Sequence, residues 1–424
     1  MRSYIVLGAA ALVIASPAPQ GFNPASLDSI PVTITQGPPV VGPAQETGIY
    51  AQAQAQNVAA GAATGAATAP AAKRDVIDIE KRVVATKIDA RGAAAPNPTS
   101  TNTAPSTCTP VDWTNTYAFT SIPACPTQVE VGTYCGFINP LDPCAAQPNA
   151  YGPNTSPDTV DSFKSNPVYA DLANKATTPS GYDLSFSNYD GSVSGSGYLG
   201  YQVLTSYDPS ACSAFCDQTK TCTGFNIFIE RDPKWNPEKC SCDAPSIAQI
   251  KCSLWGQEVK KESATNKGQN QAGFDVVIVA SNGYNKKPVT PPSPPSCSKP
   301  QNCGKKIHDH QPYCMGEKTF PGPFDPSLCA AFAQKQNTVN KAFGLWNMFL
   351  SFFGMGKASC LQFSAAYLEK DGKGFGTNCR LFTKKFTPSQ ATLDISGSGN
   401  WGCQKSYTWD VEVNAQFNWA GWSW

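Results

Sequence analysis

The chain has little of what catalysis or nucleic-acid binding usually needs. Among 424 residues there are two histidines, His308 and His310. No G-x-S-x-G and no H-E-x-x-H occurs, so two common routes to an activated serine or a catalytic zinc are missing. Lys plus Arg is 32 and Asp plus Glu is 31. Without a basic excess there is no electrostatic footprint for nucleic acid. The apolar run near the start, Tyr4 to Ala15, is shorter than the roughly 20 residues a membrane span requires. It follows Arg2 and precedes small residues, the pattern of a secretory signal peptide, placed at residues 1–15. The last stretch, NAQFNWAGWSW, lacks the aliphatic tail of a lipid-anchor signal. The expected location is secreted, extracellular or cell-wall associated, with no membrane partner.

Cysteine is abundant: there are 17. Outside the cell thiols oxidise, so a disulfide framework is the first reading. An odd number leaves at least one cysteine without a partner in its own chain. No metal or cofactor is expected. In a strand, the His308-x-His310 pair of IHDHQPYC would put both rings on one face and could hold a metal. The polar surroundings favour an exposed loop instead. A zinc site at Cys240, Cys242 and Cys252 fails in an oxidising compartment that offers disulfide partners. No cysteine–histidine pairing stands out as an activated thiolate. Glu230 and Asp232 flank Arg231. They could be paired glycosidase carboxylates, but a salt-bridged strand end is simpler.

Residues 16–107 are rich in Ala, Pro, Gln, Thr and Gly, and QAQAQNVAAGAATGAATAPAA is low in complexity. Such a segment is expected to stay disordered, with too little apolar surface to offset its ordering entropy. Two dibasic pairs end in Arg74 and Arg82 and resemble furin/kexin-type processing sites. Residues 108–155 carry Cys108, Cys125, Cys135 and Cys144 amid turn formers, which reads as a small loop-rich piece. Asn154 opens an Asn-Thr-Ser glycosylation sequon. Residues 156–175 read as a helix split in two at Pro167. YDLSFSNYDGSVSGSGYLGYQVL reads as strands and hairpins. KKPVTPPSPPS, residues 286–296, is an extended spacer between a first unit, 156–285, and a second, 297–424.

The two units repeat one pattern. Tyr207-Asp208-Pro209-Ser210 before Cys212 matches Phe324-Asp325-Pro326-Ser327 before Cys329. Cys222 and Phe225 match Cys360 and Phe363; Glu230-Arg231-Asp232 matches Glu369-Lys370-Asp371. Cys252 and Trp255 match Cys379 and Phe382; Ala264-Thr265 matches Ala391-Thr392; Phe274-Asp275-Val276 matches Trp409-Asp410-Val411. Asp208 suits a helix N-cap with Pro209 in the first turn. Cys212 and Cys216 then lie one above the other on one helical face. Phe225, Ile227 and Ile229 alternate along a strand. The fold class expected is α+β, with each helix cross-linked to a small antiparallel sheet.

This pattern resembles the PAN/apple module: a helical C-x3-C, then x5-C with a Phe three residues on, then a later C-x-L strand. The resemblance implies bridges Cys212–Cys252 and Cys216–Cys222, and Cys329–Cys379 in the second module. Ala333 stands where the second helix cysteine belongs, so Cys360 loses its expected partner. The pairing of Cys240, Cys242, Cys297, Cys303, Cys314, Cys360 and Cys403 stays open. From about Cys135 to Val413 the chain is also similar to secreted two-module proteins of filamentous fungi, through YCGFINPLDPCAAQP, YGPNTSPDT, FNIFIERDP, IKCSLWG and VIVASNGY. The apolar stretch 341–356 reads either as an extra helix or as a surface for a partner. Trp419, Trp422 and Trp424 read equally as sugar-stacking faces or as core. Apple-like modules imply a non-catalytic binding protein for carbohydrate or protein at a cell wall or matrix. Two modules on a stiff spacer would bind bivalently. A structural wall component ranks second and an unrecognised secreted hydrolase third.

Overall fold

The structure is a computed structural model that describes residues 22, 24–65, 141, 147–237, 244–342, 359–396 and 399–412. It is α+β, with helices set against antiparallel sheets.

The N-terminal segment holds the short helix α1 (Pro24–Leu27), strand β1 (Gln45–Glu46) and helix α2 (Gln52–Gly65). The first module follows. Its opening helix is split as the sequence suggests: α3 is Val160–Ser165 and α4 is Pro167–Lys175, with Asn166 capping the second piece. Then come β2 (Tyr182–Tyr189), β3 (Tyr198–Leu204), helix α5 (Pro209–Gln218), β4 (Gly224–Pro233) and β5 (Ser246–Trp255). A two-stranded ribbon, β6 (Asn270–Gln271) with β7 (Phe274–Asp275), leads into β8 (Val277–Lys286). The Asp208 carboxylate accepts from the Ser210 amide at 2.8 Å, and Pro209 sits in the first turn of α5.

The second module runs β9 (Gln301–Gly304), β10 (Cys314–Pro321), helix α6 (Pro326–Ala342), β11 (Gln362–Lys370), β12 (Lys373–Phe382) and β13 (Trp401–Asp410). Its sheet has the order β10-β12-β11-β13-β9, and the first has β1-β3-β5-β4-β8-β2. Strand for strand the five-strand order is the same, and α5 and α6 fall at the same place in it; α3 and α4 have no counterpart among the described residues of the second module. Phe225 faces Leu254 as Phe363 faces Leu381, which sets the register between modules. In both, the helix is bridged to the strand beside the centre: Cys212 to Cys252, and Cys329 to Cys379. Cys216 closes on Cys222.

Three sequence-level expectations need correcting. β2 and β3 are not a hairpin; they lie on opposite sides of the β5-β4-β8 core. Phe274 is not the counterpart of Trp409. Tyr284 stacks on Phe225 at 4.8 Å as Trp409 stacks on Phe363 at 5.3 Å, so the true match lies ten residues later, beyond the inserted β6–β7 ribbon. The third correction concerns the low-complexity arm. Over its described part, residues 24–65 fold against both modules. Alanine has the highest helix propensity, and its small side chain lets helices approach closely. Ala59 and Ala63 are buried in the second module's core with Leu328 and Phe332. β1 pairs with the edge strand β3, where Gly200 (φ +132°) is required: a Cβ there would lie 2.3 Å from the Glu46 carbonyl oxygen.

The modules also touch each other directly. Ser196 donates to the Phe375 carbonyl at 2.7 Å, and the Phe324 amide donates to the Gly256 carbonyl at 2.9 Å. Lys260 pairs with Glu369 at 2.8 Å. The proline-rich spacer therefore joins two units already in contact rather than holding them apart.

Candidate functional site

A cleft of about 400 Å³ opens between the N-terminal segment and the C-terminal end of α5. Gln45, Thr47, Gly48, Ile49, Tyr50 and Gln52 form one wall; Phe215, Gln218, Thr219 and Lys220 form the other, over Leu199. Exposed amide and hydroxyl groups thus ring an apolar floor in which Phe215 and Leu199 are buried. Tyr50 is fixed at the inner end, donating to Asp325 at 2.8 Å. Burial and the Asp325 charge raise its pKa well above the ordinary tyrosine value, so the hydroxyl stays a donor. Composition alone hid half of this cleft, because its wall lies in the segment that reads as disordered.

The carboxylates of β4 lie elsewhere, in the interior. Lys251 of β5 reaches both Glu230 and Asp232, the latter at 2.7 Å. All three side chains are at most 2 % exposed. The N-terminal segment closes over them, with the Pro39 carbonyl accepting from Lys251 at 3.1 Å. Burial, then the Glu230 charge, raises the pKa of Asp232 well above the carboxylate range. Burial pushes Lys251 down, but the Asp232 and Glu230 charges more than reverse it. Arg231 points away, to Asp158 at 2.8 Å. The carboxylates are salt-bridged, and the partner is Lys251 of the neighbouring strand. A sugar ring has no path to this pair, because all three side chains are buried and Pro39 lies against Lys251.

The second module brings together a cysteine and a histidine that sequence reading passed over. Cys303 Sγ lies 3.5 Å from His308 Nε2, and His308 Nδ1 lies 3.1 Å from His310 Nε2. The C-x4-H spacing was the signal available. His308 is fully buried, so the exposed-loop expectation fails. Phe386 stacks on His310 at 3.7 Å, and apolar cover is what brings the pair inside. Burial pushes the Cys303 thiol up to about 11, and burial with the His310 and Arg380 charges pushes His308 down to about 4. Both shifts favour the neutral thiol–imidazole pair over the thiolate–imidazolium pair. The geometry resembles a nucleophilic dyad; the protonation states do not make one.

Cys297, Cys303, Cys314, Cys360 and Cys403 carry free thiols. Asn154 is exposed in a loop. Arg74, Arg82, Cys108, Cys125, Cys135, Cys144, Cys240, Cys242, Trp419, Trp422, Trp424 and nearly all of 341–356 lie outside the described residues. Among the described residues no group of three or more His, Cys, Asp and Glu converges to hold a metal, and no helix is long and apolar enough to cross a membrane. No family model, curated protein or solved structure matches the chain.

Proposed function

We propose that this is a secreted, non-catalytic binding protein built from two PAN/apple-like modules, and that its ligand is a neutral carbohydrate of a cell wall or matrix. One observation carries the reading: the cleft presents Gln45, Thr47, Gln52, Gln218 and Thr219 around an apolar floor. Amides and hydroxyls both donate and accept, as sugar hydroxyls demand, and an apolar base suits the C–H face of a ring. Three bridges among the described residues favour an oxidising compartment.

The test is a pull-down with insoluble chitin, β-glucan and cell-wall extract, followed by calorimetry with soluble oligosaccharides. Gln218→Ala with Gln45→Ala, both exposed side chains, is expected to weaken binding at least tenfold while leaving the melting temperature unchanged. Retention on a protein fraction of the extract, with no polysaccharide binding, would redirect the reading to a protein ligand. Binding that ignores the double variant would remove the cleft from it.

A further inference from the structure

No disulfide can tie residues 24–65 to the body, so apart from the backbone itself they are held by noncovalent contacts. No cysteine precedes Cys108 in the sequence. Yet this segment supplies interior to both modules. Leu27 packs with Ile307 and Trp401, Val40 and Val41 pack with Phe274 and Val276, and Ala59 packs with the core around α6. Gln52 and Gln56 donate to Asp325 and Ser327 at 3.0 and 2.7 Å, at the start of α6. The dibasic pairs ending in Arg74 and Arg82 come after this segment and before the first cysteine.

We propose that residues 24–65 are a separable subunit. A dibasic-specific endoprotease hydrolyses the peptide bond after Arg74 or Arg82. Water adds across that bond, leaving a carboxylate on the arginine and an ammonium on Asp75 or Val83. The N-terminal piece then stays seated across both modules, and the mature protein is a noncovalent two-chain assembly. Retention follows from what departure would expose: the apolar surroundings of Leu27, Val40 and Ala59, the edge of β3, and the Lys251 cluster that Pro39 caps. The cleft would then be walled by two chains. The inference stands whether or not that cleft binds sugar.

The full chain is treated with a dibasic-specific serine endoprotease and run on size exclusion without reductant, with mass spectrometry of each peak. A fragment ending at Arg74 or Arg82 is expected to co-elute with the remainder. A fragment that elutes alone, from a remainder that still melts cooperatively, overturns the proposal, and so does a chain cut at neither pair. Arg74→Gln with Arg82→Gln should keep the chain whole. After cutting, Ala59→Arg should lower retention of the fragment at least tenfold on dilution. Gln56→Ala, which loses only the bond to Ser327, serves the same comparison if the first variant does not fold. Unchanged retention in both would also overturn the seating described.

Discussion

In the first module Cys216 of α5 is tied to Cys222 ahead of β4. In the second, Ala333 and Cys360 stand in those places, both fully buried in one core, and Cys360 is a free thiol. The junction is held another way. Helix α6 runs 17 residues where α5 runs 10, and the added length carries Asn337. Its side chain donates to the Cys360 carbonyl at 3.0 Å and accepts from the Cys360 amide at 2.7 Å. A covalent tie has been exchanged for a two-point hydrogen-bond clamp one helical turn on. The outer faces differ as well. By register, Leu368 and Asn378 occupy the places of Glu230 and Lys251, so Glu230-Arg231-Asp232 is not the counterpart of Glu369-Lys370-Asp371, and the second sheet buries its cation two residues further on, at Arg380, which pairs with Asp309 at 3.0 Å. What the two units share is strand order and the helix-to-sheet bridge; the rest of the interior differs.

The largest expected effect comes from breaking the Lys251 cluster of the first module, whose three members are all at most 2 % exposed. Lys251→Met leaves Glu230 and Asp232 buried without their cation and should cost about 3–5 kcal/mol. Adding Glu230→Leu and Asp232→Leu replaces the whole cluster with apolar side chains and should recover most of that loss. Urea unfolding of parent, single and triple variants reads the difference. A triple variant as unstable as the single one would mean that the charges do more than satisfy each other.

The second comparison restores what the second module lost. Ala333→Cys should close a bridge to Cys360 across about 28 residues, worth up to about 3 kcal/mol. Expected results are one free thiol fewer than the parent and a higher melting temperature. A free thiol gained at unchanged melting would show that Cys360 is committed elsewhere. Asn337→Ala removes the clamp and leaves both backbone groups of Cys360 without side-chain partners. It should cost about 2 kcal/mol, and less in the Ala333→Cys background, where the bridge takes over. Equal losses in both backgrounds would separate the two devices.

How legible was this architecture from the residues? The helix start at Asp208-Pro209, the break at Pro167 and the matched cysteines follow from local rules of capping, backbone restriction and spacing. The 3₁₀ turns before Ala264 and Ala391 explain why those two alanines fall at equal distances from Cys252 and Cys379. Long-range pairing was not legible. Nothing local separates a β2–β3 hairpin from two strands on opposite sides of a sheet. Nothing in QAQAQNVAAGAATG says that its alanines fit a particular groove on α6. The cleft follows the same logic, since one wall belongs to a segment whose composition argues against any structure. Burial of His308 depends on Phe382 and Phe386, more than 70 residues away in sequence.

The smallest effect tests that buried histidine, again by comparison. Ile307 bridges Leu393 as Ser192 bridges Asn266, so His308 stands where the first module has Val193, and both are fully buried. Burial, with the His310 and Arg380 charges, holds His308 at about 4. Its folded pKa is thus below the unfolded value of about 6.5. The neutral ring contributes stability that is fully present above that unfolded value and is lost as pH falls through about 4. His308→Val should remove this loss, because valine has no proton to take up. Between neutral pH and pH 4 the parent's melting temperature should fall further than the variant's by a few degrees, since about 1 kcal/mol moves a domain of this size by about 2–4 °C. Other acid-sensitive groups lower both curves alike, so the gap between them is the reading. Parallel curves would mean that the ring is protonated without cost, through solvent contact that its burial among Cys303, His310 and Phe386 does not allow.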